Sequence, residues 1–273
     1  MPFSHRSELP SAGVKHPVVR EYFQTKRNRV PDAVGAVALE GLWAIRRAVD
    51  ASVAIEAVFV CNALVRGADT DRLLRDVQAA GAVALQVTER VLRRMVDRDG
   101  PDGVAAIARL PTPSLDSLAV SDATGIVIAD GFELIGNLGT LIRGADGAGM
   151  SAVVLTDRRV RVTHPLVVRA SMGTVFSMPV IDAPAHETLA WLRRHDFRIV
   201  AADPHAPTSY RAVDYRGPLA IVLGSERRGL DPLWRAAAHH IVSIPMHGVA
   251  DSLNVAVAGA LLMYEALHHP NRH

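Results

Sequence analysis

A single cysteine, Cys61, in 273 residues excludes an intrachain disulfide, a thiolate metal cluster and a CxxC redox pair. At the end of the apolar run Ala57-Val58-Phe59-Val60, it reads as a small buried residue. Lysine is almost as scarce. Lys15 and Lys26 are the only two, so nearly every cation is an arginine, whose planar fork suits bidentate phosphate contacts. An Arg- and Ala-rich composition poor in Lys is equally the mark of a genome's base composition. No uninterrupted apolar run can span a bilayer, and Met1-Pro2-Phe3-Ser4-His5-Arg6 lacks the apolar core of a signal peptide; a cytoplasmic protein with no membrane partner is expected. Neither GxGxxG nor a P-loop is present, so the usual dinucleotide and nucleotide cradles are excluded. His239-His240 and His268-His269 have no Cys or carboxylate companions at metal-ligand spacing, and no metal is expected.

What is present is apolar material in quantity, 49% of residues, enough for one large core or two modest ones. The net charge of +2 does not by itself identify a nucleic-acid partner. Its distribution is uneven. Residues 1–30 carry Arg6, Lys15, Arg20, Lys26, Arg27 and Arg29 against Glu8 and Glu21. This front reads as a polar, basic arm, helical in part around Val18 to Phe23 and ordered on a partner.

From about Pro31 to Leu110 strands and helices alternate. Val37 to Gly41 is a strand, Leu42 to Val49 an amphipathic helix with Arg46 and Arg47 on its wet side, and Ala57 to Cys61 a second strand. A helix over Thr70 to Ala80, a strand over Val83 to Val87, a basic helix over Glu89 to Met95 and a strand over Gly103 to Ala108 complete a small α/β unit. Arg90, Arg93 and Arg94 either track RNA phosphates or form a solvated face. Residues 111–120, opening on Pro111-Thr112-Pro113, read as a linker.

Residues 121–273 alternate again. Apolar strands at Gly125 to Asp130, Ala152 to Thr156, Phe197 to Ala201, Leu219 to Leu223 and His240 to Ile244 alternate with helices, the last over about Ser252 to Leu267. That pattern predicts a mainly parallel sheet, with ligands at the carboxyl ends of its strands. Three polar turns fall at such ends. The first is Asn137-Leu138-Gly139 with Arg143 after it, the second Gly224-Ser225-Glu226-Arg227-Arg228-Gly229, and the third Ile244-Pro245-Met246 followed by Asp251-Ser252-Leu253-Asn254. Each taken singly has a turn-and-cap reading.

Taken together, their order and content resemble the three motifs of the SpoU, or TrmH-like, RNA ribose 2′-O-methyltransferases of the SPOUT superfamily. Arg169-Ala170-Ser171-Met172-Gly173 and Phe176-Ser177-Met178-Pro179-Val180 are similar to that family's connecting segment. The front unit looks like the L30e- or L7Ae-like module that precedes the family's catalytic domain, through Glu40-Gly41 and Asp102-Gly103-Val104-Ala105-Ala106. The resemblance implies an α/β fold in two parts: an L30e-like substrate-binding domain over 31–110 and a SPOUT domain over 121–273 with a deep trefoil knot.

The same resemblance implies S-adenosylmethionine as cofactor, held by Gly224, Ile244, Met246 and Leu253. It places Asn137, Arg143, Glu226, Ser252 and Asn254 in the catalytic machinery, with Asn137 and Asn254 orienting Arg143 and the ribose. A guanidinium stays protonated to a pH of about 12.5, so phosphate positioning and alkoxide stabilisation suit Arg143 better than a base role. Arg169 is either an RNA-phosphate contact or a surface ion pair. The final helix, apolar around most of its circumference, fits burial or a homodimer interface through the catalytic domain. The expected substrate is structured RNA, 23S rRNA first, with an antibiotic-resistance role compatible. The alternatives are tRNA and a noncatalytic RNA-binding or ribosome-assembly protein.

Overall fold

The computed structural model describes residues 8–27, 29, 35–65, 68–97 and 99–268. Arg6 and His269, named above, lie outside them. The chain divides into two units, Met1–Pro111 with Thr163–Val168, and Thr112–Val162 with Arg169–His273.

In the first unit, α1 (Pro17–Lys26) precedes β1 (Ala36–Glu40), α2 (Leu42–Asp50), β2 (Ala54–Val60), α3 (Asp69–Ala79), β3 (Val83–Gln86), α4 (Glu89–Met95) and β4 (Val104–Arg109). The sheet runs β1-β4-β2-β3, antiparallel except for the β2/β3 pair. The segment expected as a basic arm is, over α1, part of this core. Val19 and Tyr22 are fully buried, and the Tyr22 ring meets Phe59 edge-on at 5.5 Å. Lys26 closes the helix end, donating to the Met95 carbonyl (2.5 Å) and pairing with Asp97 (2.7 Å) and Glu40 (3.2 Å). Arg20, Glu21 and Arg27 face outward while the apolar stripe of the helix packs. Cys61 is buried.

The second unit contains β5 (Gly125–Asp130), α5 (Ile135–Gly147), β6 (Ala152–Thr156), β7 (Val180–Asp182), α7 (Ala185–Arg194), β8 (Arg198–Ala202), β9 (Thr208–Ser209), β10 (Leu219–Leu223), α8 (Pro232–Ala237), β11 (His240–Ser243) and α9 (Val255–Leu267); α6 (Pro165–Ala170) follows β6 in the chain, and its residues through Val168 belong to the first unit. All seven strands are parallel, in the order β7-β6-β5-β10-β8-β11-β9. Every residue of β5, β6 and β10 is buried, which is why they read as continuous apolar runs. The strand order reverses between β5 and β10, paired from Leu219↔Gly125 to Leu223↔Ala129, so their carboxyl ends flank a switch point.

Helices α5 and α9 pack together beside that point. Gly259 makes the approach possible, since a Cβ there would stand 2.6 Å from Leu223 Cδ1 and 2.8 Å from Leu141 Cδ1. The Tyr264 hydroxyl donates to the Gly147 carbonyl (3.1 Å) at the far end of the pair.

Candidate active site

The N-terminus of α5 has no cap of its own, because Leu134 stands at the capping position. A carboxylate from the turn after β10 supplies it. Glu226 accepts from the Glu133 amide (3.1 Å), the Leu134 amide (3.4 Å) and the Asn137 side-chain nitrogen (2.7 Å). Burial pushes the Glu226 carboxyl upward, but these donors outweigh it and hold the group below the ordinary carboxylate value.

The remaining oxygen of the Asn137 side chain is also engaged. Asn254 Nδ2 donates to Asn137 Oδ1 (2.9 Å), while Asn254 Oδ1 accepts from the amides of Ala256 (3.0 Å) and Val257 (3.4 Å). Helix α9 therefore begins at Val255 with Asn254 as its cap, not near Ser252 as expected, and Asp251 and Ser252 belong to the preceding loop. Three turns far apart in sequence are tied by two side-chain bonds.

These bonds revise one expectation. Asn137 and Asn254 spend their side-chain hydrogen bonds on Glu226, on each other and on the α9 cap, and none on Arg143. Arg143 stands six positions after Asn137 on α5, which turns the arginine roughly 120° around the helix. Arg143 is exposed and makes no ion pair among the described residues; the same holds for Arg169, at the end of α6.

Below the α9 cap lies a cleft at the carboxyl ends of β8 and β11. Val242, Ile244, Met246, Leu253, Ala258, Ala202 and Pro204 make it largely apolar. Ser252 and Asp203 are its polar side chains. Ile244, Met246 and Leu253, named from sequence, thus line one cleft together with Ser252. Gly224 does not line it. A Cβ on Gly224 would overlap the Gly229 carbonyl, so this glycine closes the Glu226 turn.

Asp203 was not anticipated. It caps its own loop by accepting from the His205 amide (2.8 Å) and pairs with Arg235. Burial raises its carboxyl, and these partners outweigh burial to leave it below the ordinary value. The signal available in the sequence was its place just past a strand end, Ala202-Asp203-Pro204. Deeper, at the end of β5, Asp130 accepts from the Thr156 hydroxyl (2.6 Å), and burial holds its carboxyl above the usual range.

Among the described residues no group of three or more His, Cys, Asp or Glu side chains is placed to hold a metal ion, and no helix is long and apolar enough to cross a membrane.

A parallel sheet with its motif turns tied by side-chain hydrogen bonds and an apolar cleft at the carboxyl ends of β8 and β11 defines an α/β ligand-binding domain of the strand-end type. Residues 125–264 match the SpoU rRNA Methylase family, and residues 19–106 match the MRM3-like substrate binding domain. The chain belongs to the SpoU rRNA methylase family. It is 31% identical over 175 residues to the 23S rRNA (uridine(2479)-2'-O)-methyltransferase of Streptomyces viridochromogenes, a match covering 62% of this chain and 61% of that enzyme. The matched region is thus under two thirds of that relative's length. The 23S rRNA (guanosine(2553)-2'-O)-methyltransferase RlmP of Bacillus subtilis is 27% identical over 72% of this chain and 77% of its own. The crystal structure of an AdoMet-bound rRNA methyltransferase from Sinorhizobium meliloti superposes with a TM-score of 0.87 at 27% identity, over 96% of this chain and 98% of that one.

Proposed function

We propose that this protein transfers a methyl group from S-adenosylmethionine to a ribose 2′-oxygen in structured RNA, with rRNA as the first substrate to test. The observation that carries the reading is the Glu226–Asn137–Asn254 chain of hydrogen bonds, which ties all three motif turns to one another. A binding-only protein has no need to hold these groups in register. Supporting it are the 23S rRNA 2′-O-methyltransferase relatives and the AdoMet-bound neighbour. The knotted threading of the C-terminal segment belongs to this proposal.

The cleft fits the cofactor by its chemistry. Ile244, Met246, Leu253, Val242 and Ala258 offer an apolar surface for adenine, and Asp203 and Ser252 offer polar groups for its ribose or amino-acid end. When bound, S-adenosylmethionine supplies an electrophilic methyl group.

This chain's own part is to present the nucleophile. Exposed and uncommitted, Arg143 is available to an RNA phosphate and to the charge developing on the 2′-oxygen. Asn137 and Asn254 hold the α5 and α9 starts in place, and so act as positioning residues together with Glu226. Ser252 stands at the cleft wall where the methyl donor is expected. Arg169, exposed at the end of α6, is a second phosphate contact in this scheme.

The partner of the catalytic domain in this reading is a second copy. Val257, Leu261 and Tyr264 form an exposed stripe at i, i+4 and i+7 on α9, each about two-fifths exposed or more.

Incubation with methyl-labelled S-adenosylmethionine and total RNA should label RNA, and primer extension at low deoxynucleotide concentration should place the modified ribose. Arg143→Ala is expected to abolish transfer with an unchanged melting temperature, because the side chain supports nothing in the fold. Full activity in Arg143→Ala would sink the assignment of that residue.

A further inference from the structure

Trp43 is the one tryptophan that faces solvent. The other two, Trp191 and Trp234, are 1% and 0% exposed, while Trp43 is 43% exposed. Its surroundings are organised. Trp43, Arg46, Arg47 and Asp50 recur at i, i+3, i+4 and i+7, so they form one face of α2, opposite the buried Ala44, Ile45 and Ala48. The Arg47 guanidinium lies over the indole at 5.9 Å from its centre. The start of α3 makes a second wall with Asp69 and Arg72, and Arg46 spans to it through Asp76 (3.0 Å) and the Asp69 carbonyl (3.4 Å). Asp102, bonded to the Leu42 amide (2.9 Å), closes the end of an open groove of about 590 Å³.

We propose that this groove binds an unpaired nucleobase of the RNA substrate, stacked on Trp43, with its phosphate on Arg47 or Arg72. The inference rests on the RNA reading given above. Of the eight residues lining the groove, only Leu42 and Trp43 are apolar. A protein partner's anchoring pocket is depleted in charge at its centre, whereas a planar ring edged with amino and carbonyl groups matches one aromatic plate set among guanidinium and carboxylate groups. Arg47 and Arg72 hold no ion pair among the described residues, and so keep their charge for a phosphate. Asp50 and Asp69 provide acceptors for exocyclic amino groups.

The exposed tryptophan is its own probe. Titration of the full-length protein, without S-adenosylmethionine, with a single-stranded RNA oligonucleotide should quench Trp43 emission, and a fully paired RNA duplex should not. Trp43→Phe should remove the quenching signal while largely retaining affinity. Trp43→Ala should weaken binding about 10-fold, the order expected for one stacked base. Because no methyl transfer is read, the result is separable from the activity assay. RNA binding with no change in Trp43 emission, equal affinity in Trp43→Ala, or no RNA binding at all would each overturn the proposal and leave Trp43 a solvent-facing side chain.

Discussion

The side-chain nitrogen of Asn254 donates to the side-chain oxygen of Asn137 across 2.9 Å, although 117 positions separate them in sequence. Each residue is also bound to a helix start, Asn254 by capping α9 and Asn137 by lying in the first turn of α5. The link therefore joins two helix N-termini, and its loss should be separable from loss of the cap. Asn254→Asp keeps an oxygen for the Ala256 and Val257 amides but has no donor for Asn137. Its stability should stay within about 0.5 kcal/mol of wild type, whereas Asn254→Ala should lose about 1 kcal/mol. Both should lose methyl transfer. Denaturant titration beside the labelled-methyl assay checks this, and a fully active Asn254→Asp would remove the amide link from the mechanism.

Glu226 carries the same network on its charged side. Replacing it by Gln leaves one oxygen for three donors and points an amide at the rest. A cost of about 1–3 kcal/mol follows from the stranded amides, with activity down roughly 100-fold if the α5 start shifts. The pH dependence has a definite sign. The folded carboxyl titrates below its ordinary value, so its contribution is fully present above the unfolded carboxylate pKa of about 4.3 and is lost as pH falls through the depressed folded value. The melting-temperature gap between wild type and Glu226→Gln should thus be wide at neutral pH and close in acid. A gap that stayed constant across that range would show that the carboxylate charge is not what holds the turn.

Much of this arrangement was legible in the sequence, and the failures have local physical causes. Strands β5, β6 and β10 announce themselves because a parallel strand covered on both faces is apolar throughout. The three motif turns were legible as strand ends. The α9 start was not, because Asp251, Ser252 and Asn254 are all competent caps and only tertiary contact with Asn137 selects one. Helix α1 was legible in part, over Val18 to Phe23, but its seat in the core was hidden by its charges, which outnumber the Val19 and Tyr22 anchors. Helix α8 went unread despite Asp231-Pro232, the cap and first-turn pair that its structure uses. Asp203 carries no motif. Its place in the cleft depends on where β8 ends beside β11.

Gly224 serves as a test of backbone crowding against cofactor contact. A methyl group there would overlap the Gly229 carbonyl and sit 2.6 Å from the Leu230 nitrogen, both backbone atoms that cannot swing aside. Gly224→Ala should cost about 1–3 kcal/mol by overpacking and disturb the Glu226 turn. Gly248, in the loop of the third motif, has nothing within 4 Å of the corresponding position. Gly248→Ala should stay within about 0.5 kcal/mol of wild type. Calorimetric melting of the two variants decides the matter, and equal stability would mean that the turn relaxes without strain.

The exposed stripe on α9 yields a prediction about assembly. Leu261 is 39% exposed and lies between Val257 and Tyr264 on the outward face, away from Gly259, which packs on Leu141 and Leu223. A carboxylate at position 261 would meet water in a monomer at little cost, but would be desolvated against apolar side chains in a two-fold interface built on this stripe. Leu261→Asp should therefore leave the monomer folded and shift sedimentation equilibrium from dimer to monomer, with dimer affinity down 10-fold or more for a desolvation cost on the order of 2 kcal/mol. If wild type sediments as a monomer at micromolar concentration, or if Leu261→Asp leaves a dimer unchanged, the second copy does not sit on α9.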